Sequence, residues 1–110
     1  MIVSEKNVSD ALSYLADDPH PVAEARHRLT VAETNAKTIY SRLILASSCS
    51  TVATKEAEAM QDVDYLQAKS EEASALLDLE RHKARVKAAD MLISVWQSEG
   101  ANIRAAERVR

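Results

Sequence analysis

The stretch VAEARHRLTVAETNAKTIYSRLILA, residues 22–46, decides the fold. Its small and apolar residues fall on one stripe: Val22, Ala25, Leu29, Ala32, Ala36, Ile39, Leu43 and Ala46. The steps alternate three and four, the heptad rhythm of a helix seam. At about 1.5 Å of rise per residue, the stripe covers roughly 37 Å of one helix face. A strip of that length needs a partner helix, so the spacing predicts a helical assembly module.

Outward from this stretch, composition agrees. The chain has 110 residues, with one Gly, two Pro, three Tyr, one Trp and no Phe. Few residues can make turns, and Ala, Leu, Glu, Lys and Arg are strong helix formers. A core of Ala, Leu, Val and Ile buries less area per residue than one containing Phe. At roughly 25 cal/mol per Å², a lone copy is expected to be marginally stable, and self-association is the usual remedy.

Upstream, residues 1–8 read as a loosely docked arm. A short helix is predicted from a Ser9 cap through Ala16, with Leu12, Tyr14 and Leu15 as its apolar contacts. The run Asp17-Asp18-Pro19-His20-Pro21 breaks it, and Pro21 suits the first position of the next helix, which runs to Ala46. Downstream, Ser47-Ser48-Cys49-Ser50 reads as a turn. A short helix from Val52 to Met60 follows, capped by Ser50 or Thr51. Asp62 is a fresh cap, and nothing breaks a helix from Val63 to about Ser98. Its apolar positions include Leu66, Ala73, Leu76, Leu77, Leu79, Ala84, Val86, Ala88, Ala89, Leu92, Ile93, Val95 and Trp96. Around Met91 to Trp96 it is apolar almost all round, which requires burial on more than one side, by another helix or another chain. Gly100 is a candidate left-handed stop. The expected architecture is all-α: a long antiparallel helical hairpin with short extra helices, assembled into an oligomeric bundle. Residues 1–20 form the arm and short helix, and 21–110 the hairpin domain with its tail. Leu29, Ile39, Leu43 and Leu77 are expected to hold the hairpin. Leu92, Ile93 and Trp96 are expected to hold subunits together.

The net charge of −3 conceals a gradient. Residues 51–80 carry eight acids against two lysines, and residues 81–110 seven bases against three acids. Opposite ends of opposite sign favour antiparallel or staggered association, and an uneven scatter of charge on a solvated helix is the plain alternative. Cys49 is the only cysteine, so no internal disulfide forms, in keeping with a reducing cytosol. The N-terminus lacks a signal-peptide pattern, and no apolar stretch approaches the roughly 20 residues of a membrane span. A cytoplasmic location is expected.

Chemistry-bearing residues are sparse. His20, His27 and His82 share no metal-ligand spacing. Ser47, Ser48, Cys49 and Ser50 lack a glycine-rich elbow or a base beside them. Glu71 and Glu72 are adjacent and point apart on a helix, and no phosphate loop occurs. The chain is therefore expected not to be an enzyme and to need no cofactor or metal. The run Arg81-His82-Lys83-Ala84-Arg85-Val86-Lys87 aligns Arg81 with Arg85 and Lys83 with Lys87 at i, i+4. With Arg104, Arg108 and Arg110 of the tail, these bases could hold phosphates. The competing reading pairs them with Asp78, Glu80 and a partner's acids, and it is favoured because no aromatics interleave for base stacking.

From about residue 22 to 110 the chain resembles a loose group of small helical proteins encoded by phages and prophages. The resemblance lies in a helix, a serine-containing turn, TKEAEAMQDVDYLQA with Glu56, Ala59 and Tyr65, a long charged helix, and the ending ISVWQSEGANIRAAERVR with Trp96, Gln97, Ser98, Ala101, Asn102 and Arg104. The commoner tail has arginine where Gln97 stands. The resemblance implies a phage accessory protein acting with DNA replication or recombination machinery in the bacterial cytoplasm, and carries over no catalytic residues. Three functional expectations follow. The first is a non-enzymatic accessory protein that self-associates and binds a phage or host protein. The second is a DNA-binding or recombination-assisting module using the basic third. The third is an inhibitor of a host defence enzyme, its acidic helices around Glu56 to Glu80 imitating nucleic-acid charge.

Overall fold

The computed structural model describes residues 2–109. It is all-helical, with four helices and no strand among the described residues: α1 (Glu5–Leu15), α2 (Pro21–Ala46), α3 (Val52–Gln61) and α4 (Val63–Val109). Local chemistry accounts for most of the boundaries. The Ser4 side chain accepts the Asn7 amide at 3.2 Å and starts α1. His20 Nδ1 accepts the Val22 amide at 3.0 Å, occupying the acceptor role of a cap ahead of Pro21. Thr51 and Thr54 form a reciprocal capping box on α3. The Asp62 carboxylate accepts the Asp64 amide at 2.8 Å and opens α4.

The chain divides into two compact units. One comprises Ala23–Glu80. In it α2 runs antiparallel to the first part of α4: Arg28 pairs with Asp78 near one end and Tyr40 packs on Tyr65 near the other. The α2 stripe predicted from the heptad spacing turns inward, with Ala25 and Ala36 buried, Leu29, Ala32, Ile39 and Leu43 half-buried, and only Ala46 exposed. Ala68, Ala75 and Leu79 are the buried residues of α4 in this unit, and Ala59 of α3 is buried as well. Alanine on facing stripes lets the backbones come close, because interaxial distance is set by the side chains at the contact. The opposite face of α2 carries a ladder of threonines: Thr30, Thr34 and Thr38 each donate to the carbonyl four residues earlier.

The other unit contains the described residues up to Val22 and those from Arg81 onward. Here α1 lies antiparallel to the later part of α4: the Tyr14 hydroxyl meets His82 while the Ile2 amide donates to Glu99 Oε1 at 2.8 Å. Val8, Ala11 and Tyr14 are buried against this part of α4, as is Ala89.

Three expectations are corrected. The first helix begins at Glu5, not Ser9, because Ser4 is the cap and Val8 is a core residue; Leu12 faces outward. Gly100 does not stop α4: its φ is not positive and the helix continues to Val109. Leu77 does not hold the hairpin, being 51% exposed. The inward stripe of α4 passes through Ala75 and Leu79, and Leu77, two residues from each, points to the other side.

Candidate interaction surfaces

Because the buried positions are mostly alanines, many larger apolar side chains lie outside. Along α4, Val63 is 78% exposed, Leu66 54%, Met91 61% and Val95 42%. Ser70, Ala73, Ala84 and Ala88 are exposed at intervening three- and four-residue steps. α4 thus has an apolar stripe on the side away from its buried one, within each unit. Leu92, Ile93 and Trp96, expected at a subunit interface, are half-buried within one copy.

In the Ala23–Glu80 unit a groove beside the helix seam is lined by Tyr40, Tyr65, Met60, Lys37, Lys69 and Glu72. The two tyrosine rings stand 5.4 Å apart. Burial of its ring, followed by Glu56 and Tyr65, holds the Tyr40 phenol above its ordinary pKa. The 3.0 Å hydrogen bond to Glu72 raises Lys69, helped by the attraction of the same carboxylate. The groove is an amphipathic surface whose lining includes two aromatic rings.

At the turn after α2, one carboxylate oxygen of Glu58 accepts from the Cys49 thiol at 2.7 Å and from the Ser47 hydroxyl at 3.1 Å. Sequence reading placed Ser47 and Cys49 in a turn but not against Glu58, since the contact depends on α3 folding back over the end of α2. The same holds for Tyr14, whose hydroxyl lies 3.1 Å from His82 Nδ1 while Arg85 covers its ring at 4.1 Å. A lone tyrosine in a short amphipathic helix is the only signal the sequence offers for that cluster.

Arg81, Lys83, Arg85 and Lys87 are all exposed on α4 in the unit containing α1. Arg85 is already engaged by Tyr14. Arg104 and Arg108 are exposed further along, the former against Gly100, and Arg110 lies outside the described residues. Of the three histidines, His20 and His82 serve Tyr14 and the helix start, while His27 is exposed. Among the described residues no group of three or more His, Cys, Asp or Glu is placed to hold a metal ion, and no helix is long and apolar enough to cross a membrane. These features define a class no finer than an all-helical chain with exposed apolar and basic helix faces. In comparison with known proteins, the chain matches no family model, no curated sequence and no solved structure.

Proposed function

We propose that this chain is a non-enzymatic interaction protein that self-associates through its long helices and binds a protein partner, in the manner of the phage accessory proteins it resembles. One observation carries the reading: the buried positions hold mostly alanine, while Val63, Leu66, Leu77, Met91 and Val95 stand in solvent along α4. Apolar area left in water in each unit is a favourable target for association. Half-buried Leu92, Ile93 and Trp96 add larger side chains that a second chain would finish covering. Size-exclusion chromatography with light scattering tests the proposal. A mass at a multiple of 12.1 kDa supports it, and a stable monomer at micromolar concentration overturns it.

A second reading is favoured by the exposed bases Arg81, Lys83, Arg85 and Lys87, whose i, i+4 alignment suits adjacent phosphates. A mobility shift at low salt distinguishes it from the first.

A further inference from the structure

Two of the three histidines meet at Tyr14, and their bonds respond differently to a proton. The His20 ring stands edge-on to the Tyr14 ring with centroids 5.0 Å apart, and the His82 ring lies roughly parallel to it at 6.4 Å. Tyr14 is buried, and Arg85 covers its ring. These four side chains and Val22 all belong to the same compact unit.

The partner of His20 can only donate. A backbone amide has no acceptor capacity, so the 3.0 Å bond from the Val22 amide needs a free lone pair on His20 Nδ1. That selects the neutral imidazole with its proton on Nε2. A second proton lands on Nδ1 and removes the acceptor. It also sets a positive charge at the first turn of α2, where the helix dipole favours negative charge. Pro21 carries no amide hydrogen, so the Val22 amide is the first of α2 and His20 is its acceptor. His82 differs. Its Nδ1 lies 3.1 Å from the Tyr14 hydroxyl, which can donate or accept, and the same hydroxyl reaches the His82 carbonyl at 3.2 Å. With a proton on His82, the hydroxyl donates to the carbonyl and accepts from the ring, and the contact persists.

The charged groups around this cluster act in one sense. On α4, Arg85 is a fixed positive charge 4.1 Å from the Tyr14 ring centre, and a protonated His82 adds a second. On α1, Asp10 lines a shallow groove with Tyr14 and Arg85. Asp17 and Asp18 share the linker with His20, and Glu24 lies in the first turn of α2. Cations repel a charged His20 ring, and the neighbouring carboxylates offer it acceptors that the Val22 amide is not.

We propose that His20 is a pH-sensitive latch on the start of α2. Neutral, its ring caps the helix and rests on Tyr14; protonated, it releases the Val22 amide. Imidazole is the side chain whose charge changes between pH 5 and 8, so the bond is present at the upper end of that range and lost as pH falls through it. Every part of the latch lies in one chain, so it stands apart from the self-association reading.

Solvent-exchange NMR of the Val22 amide in the full chain, corrected for the intrinsic effect of pH on exchange, tests it. Protection should fall about fivefold from pH 8 to pH 5, the factor that loss of one cap implies. His20→Asn keeps an acceptor in the cap and takes no charge, so its Val22 protection should stay level. His82→Gln should lose protection as the parent does. Equal protection at the two pH values in the parent overturns the proposal, as does an equal fall in His20→Asn. A fall abolished by His82→Gln assigns the response to the other imidazole and overturns it too.

Discussion

Replacing Ala75 with leucine should destabilise the protein far more than removing the larger side chain at Leu77. Ala75 is 1% exposed, among the most enclosed residues of the α2–α4 seam, while Leu77 is 51% exposed on the far side of the same helix. Leucine at 75 adds three carbons where the structure has room for one methyl group. Overpacking of this kind costs about 1–3 kcal/mol, and the close approach of Ala25, Ala36, Ala68 and Ala75 leaves little slack to absorb it. Helix propensity does not confound the comparison, since alanine and leucine differ by only a few tenths of a kcal/mol. A cost of about 2 kcal/mol lowers the melting temperature of a chain this size by roughly 8–16 °C. Leu77→Ala in dilute solution should stay within about 0.5 kcal/mol of the parent. Far-UV circular dichroism melts of the three proteins, dilute and concentrated, provide the assay. At high concentration Leu77→Ala should lose the extra stability the parent gains from association. An Ala75→Leu protein that melts with the parent would refute the alanine seam. So would a Leu77→Ala protein that is the less stable of the two when dilute.

Alkaline titration should weaken the fold. The Glu72 hydrogen bond raises Lys69, and burial raises Tyr40. Both groups therefore contribute fully below their ordinary values and lose that contribution as pH rises through the raised ones. Urea midpoints should fall above about pH 10, less steeply in Glu72→Gln; a flat profile contradicts the assignment. Thr51→Ala removes one half of the capping box and should cost about 1 kcal/mol, read as a shift in urea midpoint without a change in slope. If α4 pairs with another copy rather than with phosphates, DNA should show no mobility shift even at low salt. A shift that fades as salt rises, and weakens in Arg81→Ala/Lys87→Ala, would move the function to nucleic-acid binding. Asp78→Asn breaks the Arg28 ion pair at 2.9 Å, which is well exposed. The expected loss is under about 1 kcal/mol, shrinking with salt.

Sequence reading reached the helices and one of the two faces that matter. The α2 stripe is legible because all eight of its positions are apolar while most residues between them are polar, so period and composition give one answer. On α4 the two signals separate. The inward positions Tyr65, Ala68, Glu72, Ala75, Leu79, His82, Val86 and Ala89 include a carboxylate and an imidazole, while the outward positions include Leu66, Leu77 and Met91. Hydrophobicity alone therefore selects the wrong side, and with it Leu77 as a hairpin contact. What places Ala75 inside is fit rather than greasiness: a methyl group permits approach that an isobutyl group forbids. Gly100 misled in the same manner, since its stop signal requires a left-handed backbone and α4 never leaves the right-handed region. A helix that turns its small residues inward and its large ones outward uses one face for folding and leaves the other to the proposed association. Fit in the seam selects alanine at position 75, and the apolar area of Leu77 that this leaves in water is what the proposed association would cover.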